Sequence, residues 1–157
     1  MLSAFAWRRE VMEAVAPLGA AVHSGTFNAN LIPVMAAGAF LEVISAPGFY
    51  EQLAELEAFF YPALQAIFDR LGEPVRVQAL GARFSLLFGL DGPPTGYRQV
   101  MAGVDRGRET AFYAAAIERG VYFHHAWHHG FSAAHTRADL ELALDRIEDA
   151  ARHLRST

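Results

Sequence analysis

The sequence predicts a small α+β fold, a short antiparallel sheet with helices packed on one face, and three observations support this. Apolar residues recur at three- and four-residue steps at Phe49, Leu53, Leu56, Phe60, Leu64, Ile67, Phe68 and Leu71, the period of a long helix with one packed face. Two short apolar segments follow, Val75 to Leu80 and Arg83 to Phe88, joined around Gly81 as a hairpin would be. Beyond them a helical stretch, a third short strand and an amphipathic final helix complete the chain, so strands and helices do not alternate as they do in a parallel α/β sheet.

Taken in order, Phe5 to Pro17 reads as a short helix with Trp7, Val11, Met12 and Val15 on one side, stopped near Gly19. Gly25 to Asn30 is a loop of small and polar residues, and Leu31 to Ile44 a helix with only Glu42 charged, apolar nearly all round and therefore expected to be covered on every side. Pro47 and Gly48 open the long helix, which carries Pro62 as an expected kink and ends at Gly72. In the second strand Phe84, Leu86 and Phe88 alternate with Ser85 and Leu87. Asp91 to Thr95, DGPPT, is a turn-rich loop before a weak helical patch around Tyr97 to Ala102. Arg108 to Arg119 is a helix, Val121 to His124 the third strand, and Thr136 caps a final helix with Asp139 in the manner of a capping box, its stripe being Leu140, Leu144, Ile147 and Leu154.

Composition excludes several functions. With no cysteine there is no disulfide, thiolate nucleophile or cysteine-ligated metal. A net charge of −4 and scattered arginines leave no electrostatic footprint for nucleic acid. Ala14 to Leu41 is long and uncharged, but its prolines, glycines, His23, Asn28 and Asn30 argue against a membrane helix, and Arg8, Arg9 and Glu10 against a signal peptide, so a cytoplasmic location is expected. At 53% hydrophobic and 19% charged, against typical values of about 45–50% and 25%, the chain is expected to bury surface against something besides itself.

The segment that organises the functional reading is His23 to Gly38, HSGTFNANLIPVMAAG, in which Gly25 and Thr26 stand just ahead of an apolar helix. Backbone N–H groups, a hydroxyl and the positive end of a helix dipole can converge there on an anion such as phosphate; a plain turn and cap is the alternative. GTFNAN before an Ala-rich helix resembles the phosphate-contacting segment of class-III pyridoxal-phosphate aminotransferases, the family that includes glutamate-1-semialdehyde aminomutase. FAWRREVMEAVAP at Phe5 to Pro17, PGFYEQLAEL at Pro47 to Leu56 and GVYFHHAWHHGFSAAHTRADLELAL at Gly120 to Leu144 resemble the same family in the same order. Members usually carry proline directly after the position of Asn30, whereas here Leu31 stands there and the proline falls at Pro33.

The resemblance covers nearly the whole chain but only the C-terminal part of the family's. It implies that residues 1–46 are the end of the large cofactor-binding domain and 47–157 the C-terminal small domain of a fold-type I aminotransferase. It also implies pyridoxal 5'-phosphate shared across a homodimer, with Gly25 and Thr26 contacting the phosphate of the neighbouring subunit's cofactor, and a small amino or keto substrate. One feature of the composition stands against activity: all 13 basic residues are arginine and none is lysine. Transamination needs a lysine amine to hold the cofactor and shuttle a proton, which a permanently protonated guanidinium cannot do. No catalytic residue is therefore assigned; the family's lysine lies shortly before the segment resembling Phe5 to Pro17, so the chain is expected to be a fragment beginning just after it and to need a lysine-bearing large domain from another polypeptide or a longer parent.

Two further groups carry candidate roles. Arg83, at the start of a strand, suits a substrate carboxylate, with a surface ion pair as the alternative, and Arg76 is a lesser candidate. His124, His125, His128 and His129, in HHAWHH, offer imidazoles at close spacing for zinc, nickel or copper, although the spacing matches no established metal motif. Besides the enzyme-part reading, a non-catalytic homodimeric or partner-binding domain and a histidine-cluster metal module are the alternatives.

Overall fold

The computed structural model describes residues 3–28, 30–90, 92–124 and 128–154. The chain divides into two compact units, Met1–Pro47 and Gly48–Thr157. Among the described residues no single helix is long and apolar enough to cross a membrane.

In the first unit, α1 is a single turn, Arg9–Met12, rather than a helix over Phe5 to Pro17. Pro17 disfavours helix at the residue before it. Val15 instead forms a bridge with Ala21, and Ala16 N–H donates to the Ala21 carbonyl at 2.9 Å. The expected apolar side also lacks a surface to pack on, since Trp7 is 71% exposed and Val11 54%, and an unburied short helix is not stable in water. Helix α2 occupies Leu31–Ile44 as expected, capped by Asn30, whose side-chain oxygen accepts from Ile32 N–H at 3.1 Å. None of its residues is buried.

The second unit holds the core. Helix α3, Phe49–Leu71, runs unbroken through Pro62 and buries Leu56, Phe60, Leu64, Ile67, Phe68 and Leu71. Gly72, at φ +64°, closes it in the left-handed conformation that a side chain disfavours, with Glu73 N–H donating to the Phe68 carbonyl. Strands β1, Val75–Leu80, and β2, Arg83–Phe88, pair antiparallel in the register Val75 with Phe88, Val77 with Leu86 and Ala79 with Phe84, and Val75, Val77, Phe84, Leu86 and Phe88 pack into the helix-covered core while Ala79 stays exposed. Gln65 fastens α3 to the outer edge of β1: its amide nitrogen donates to the Val75 carbonyl and its oxygen accepts from Val77 N–H, both at 2.9 Å.

Leu87 was expected on the outward side of the alternation, yet it is only 2% exposed. It lines a cleft with Tyr97 and Val100 of α4, Tyr97–Gly103, so the outer face is partly covered too. Helix α5 begins at Arg106 rather than Arg108 and ends at Glu118, because Asp105 caps it by accepting from Arg108 N–H at 3.0 Å. The third strand is not Val121 to His124 but β3, His129–Gly130, paired with Phe84 and Arg83 of β2. Val121 to His124 alternates in burial, Phe123 inward and Tyr122 outward, but alternation requires only an extended chain, and Val121 N–H is spent on closing α5 at the Ala116 carbonyl. Helix α6, Arg137–Leu154, starts at the expected capping box: Thr136 N–H and Oγ1 donate to Asp139 Oδ2 at 2.8 and 2.7 Å, and Asp139 N–H returns to Thr136 Oγ1.

Helix α6 packs on both α3 and α5, with Ala115, Ala116, Ala150 and Ala151 buried on α5 and α6 where small side chains allow close approach. Phe112 is fully buried, its ring centroid 5.6 Å from that of Phe68 and 5.2 Å from that of Phe88, so it joins α5, α3 and the sheet. Phe112→Ala is expected to cost about 3–5 kcal/mol, read as a lowered urea midpoint, whereas Thr136→Ala should cost about 1 kcal/mol through the lost cap.

Candidate functional site

The loop before α2 is a tight turn in which Asn28 N–H donates to the Gly25 carbonyl at 3.0 Å. A Cβ on Gly25 would lie 3.0 Å from Asn28 Oδ1, so a side chain there would require the exposed Asn28 amide to shift. Thr26 is exposed, and its hydroxyl has no hydrogen-bond partner among the described residues. Asn30 bonds to the backbone at the start of α2, whereas Asn28 does not: its amide meets His23 Nδ1 at 3.3 Å, and the His23 ring rests on Phe5 with centroids 4.9 Å apart. The turn thus offers an uncommitted hydroxyl and the backbone of Gly25 and Thr26 a few residues ahead of a helix N-terminus, an arrangement that can accept an anionic group. Ala29 of the GTFNAN motif lies outside the described residues.

The histidines divide by environment. His125 lies outside the described residues, and among the described ones no group of three histidines, cysteines or carboxylates is placed to hold a metal ion. His129 is 4% exposed, enclosed by the rings of Phe84, Phe123 and Tyr113 at centroid distances of 5.3, 4.9 and 5.2 Å. Its Nε2 is 2.9 Å from the Tyr113 hydroxyl, which also donates to Glu109 Oε1 at 3.3 Å, and Glu109 is held by Arg106 at 3.0 Å. The other ring nitrogen, Nδ1, is buried with no hydrogen-bond partner. Burial first, and then the neighbouring imidazoles of His124 and His128, push the His129 pKa from 6.5 down to about 4. Burial, reinforced by the Glu109 carboxylate, raises that of Tyr113. His129 is therefore a neutral core residue, and its link to Glu109 and Tyr113, anchored at the surface by Arg106, was missed in the sequence because nothing local brings His129 against that face of α5.

Arg83 lies on the open face of the sheet, in a cleft of about 360 Å³ with Gln78, Leu80, Leu87, Tyr97 and His128. The alternative of a surface ion pair does not hold among the described residues: Arg83 makes one long contact, 3.5 Å, to the His128 carbonyl and no contact with a carboxylate. Arg76 is half-buried on β1 and lies outside the lining of this cleft.

Comparison with known proteins gives a consistent picture. A family description, aminotransferase class-III, matches residues 1–150. The chain is 38% identical over 151 residues to a glutamate-1-semialdehyde 2,1-aminomutase of Laribacter hongkongensis, covering 95% of this chain and 35% of that protein. It is 36% identical over 149 residues to the protein of the same name from Nitrosospira multiformis, covering 94% and 35%. It therefore spans about a third of the length of the curated relatives it matches. Among solved structures it is similar to an omega-transaminase from Sphaerobacter thermophilus, with a TM-score of 0.83 at 23% identity over 94% of this chain and 34% of that one. It is also similar to a glutamate-1-semialdehyde-aminomutase from Pseudomonas aeruginosa PAO1, with a TM-score of 0.75 at 21% identity over 87% and 31%. These likenesses identify the fold as that of the fold-type I aminotransferases.

The buried imidazole gives a pH dependence. Because folding lowers the His129 pKa from 6.5 to about 4, the unfolded chain binds the extra proton between those values, and stability falls as pH drops through that window. The loss amounts to at most ~3 kcal/mol, measured as urea midpoints from pH 7 to pH 4. His129→Gln should flatten that slope relative to the parent chain, and an unchanged slope would remove His129 as its source.

Proposed function

This chain belongs to the class-III aminotransferase family, and we propose that it is the C-terminal part of such an enzyme. Residues 1–46 then close the large cofactor-binding domain, and residues 47–157 form the small domain that covers the substrate. The observation that carries the reading is the exposed, uncommitted Thr26 hydroxyl in the Gly25 turn ahead of α2. Gly25 and Thr26 hold the phosphate of pyridoxal 5'-phosphate, on the neighbouring subunit's side of a shared site. That cofactor, when bound, supplies an electron-withdrawing ring that stabilises negative charge developing on a substrate carbon.

The residues present suit the phosphate end of the cofactor and not its covalent attachment. No lysine exists in the chain to bond to the cofactor aldehyde or to move a proton beside it, and arginine cannot serve. The amine has to come from a separate lysine-bearing polypeptide or from a longer protein that includes this sequence. The apolar α2, unburied within this chain, is the surface for that partner or for a second copy. The reaction is transfer of an amino group on a small amino or keto compound, as transaminase or aminomutase, in the cytoplasm. A non-catalytic, partner-binding domain is the second reading, and the missing lysine favours it for the chain acting alone.

In NMR titrations with pyridoxal phosphate, and separately with inorganic phosphate, the amide signals of Gly25 and Thr26 should shift saturably. Thr26→Ala should weaken binding on the order of tenfold, the scale of one hydrogen bond to a charged group. Absence of any shift at millimolar ligand removes the phosphate role and leaves the non-catalytic reading. Transaminase turnover by the purified chain with no second protein would overturn the requirement for an outside amine. Size-exclusion chromatography should show a dimer or a bound partner, and a well-behaved monomer contradicts the role given to α2.

A further inference from the structure

A second cavity, of about 390 Å³, opens between β3, the segment that follows α5 and helix α6. It shares only Phe84 with the cleft that holds Arg83. Its inner wall is aromatic, made of Phe60, Phe84, Phe123 and Phe131, all buried. The polar side chains at its mouth, His135, Asp139 and Arg146, are exposed and already hold parts of the fold. His135 Nδ1 accepts from Ser132 N–H at 3.1 Å, Asp139 closes the capping box of α6, and Arg146 Nη1 donates to the Gly120 carbonyl at 3.3 Å.

One polar side chain of the lining is both buried and incomplete. His129 is 4% exposed, and its Nδ1 has no hydrogen-bond partner. The groups behind it decide which nitrogen carries the proton. The Glu109 carboxylate, paired with Arg106, can only accept, so the Tyr113 hydroxyl gives its proton to Glu109 and its oxygen receives the Nε2–H of His129. Nδ1 is then a bare lone pair, an acceptor without a donor. The two nitrogens of an imidazole point away from each other, so Nε2, turned to Tyr113 of α5, leaves Nδ1 turned away from that helix, and no residue of α5 lines the cavity. A buried acceptor left open among aromatic rings is costly, and no side chain among the described residues relieves it. A molecule that completes this wall needs a ring-sized apolar body and one O–H or N–H. A charged one would sit among rings without a counter-charge.

We propose that this cavity binds a small uncharged aromatic molecule with a single hydrogen-bond donor, its O–H or N–H given to His129 Nδ1 and its ring seated against Phe60, Phe123 and Phe131. This is a ligand site additional to the cofactor turn, and it requires neither the cofactor nor an outside amine. Nδ1 is covered by its neighbours, so the rings beside it yield as the donor arrives and their resonances report its entry.

Titrating phenol into the isotopically labelled chain should shift the side-chain signals of Phe131, Ala143 and Ile147 saturably, and the nitrogen-15 resonance of His129 Nδ1 should move while that of Nε2 stays in place. Toluene has the same shape without the donor and is the more apolar of the two. Phenol should bind at least about threefold more tightly, the scale of one neutral hydrogen bond, whereas a cavity that offers no acceptor prefers toluene, because the phenol hydroxyl is then buried unpaired. His129→Phe, which keeps a ring and removes the acceptor, should reverse the order. On the unaltered chain, toluene binding as tightly as phenol overturns the proposal, whatever the variant does. So does an unmoved Nδ1 resonance at saturating phenol, or the absence of any saturable shift at millimolar phenol.

Discussion

The second unit depends on one constraint: the buried face of α3 has to meet a sheet that, among the described residues, has three strands, the last of them two residues long. Burial alone would leave the relative position of helix and sheet to slide. Gln65 removes that freedom by presenting both ends of its amide to the backbone of β1, taking the place of a neighbouring strand at Val75 and Val77. It satisfies polar groups that an edge strand would otherwise leave open and fixes the register at which Leu64, Ile67 and Phe68 face the strands. The Tyr61 hydroxyl repeats the device one turn earlier, donating to the Gly81 carbonyl of the hairpin at 2.7 Å.

How legible each part was follows from the range of the interactions that make it. Helices α2 and α3 and strands β1 and β2 were readable to the residue because period, turn glycine and cap are local signals. The capping box at Thr136 was readable for the same reason. The third strand was not, because Val121 to His124 and His129–Gly130 are both compatible with extended backbone, and the choice between them is made by what β2 offers at Arg83 and Phe84, more than thirty residues away in the chain. The fate of His129 was equally non-local: its burial depends on Phe84, Tyr113 and Phe123 arriving from three other segments.

The first unit shows what happens to a sequence signal that lacks its counterpart. An all-round apolar helix was expected to be covered, and α2 forms, but within this chain Leu31, Ile32, Met35 and Phe40 remain more than 60% exposed. The segment before it, whose pattern reads as a longer helix, yields only one turn. Helix α2 has the Asn30 cap and fourteen residues over which to propagate, whereas the Arg9–Met12 turn has Pro17 close behind and nothing to bury against. The contrast is physical: α2 is set by signals within its own segment, while a helix over Phe5 to Pro17 would need packing that the exposed Trp7 and Val11 do not find.

The absence of lysine separates structural from chemical use of positive charge. An arginine can do everything a fold asks of a cation, and here it does so repeatedly: Arg70 and Arg152 share Glu148, Arg119 joins α5 to Asp149 of α6, and Arg108 compensates the buried Glu73. None of these tasks requires a group that can lose its proton. Covalent attachment of a carbonyl cofactor does, since only a neutral amine has a lone pair to form the bond, and a guanidinium does not become neutral in water near pH 7. A chain with arginine at every basic position therefore keeps these ion pairs while holding no side chain that can offer a neutral amine.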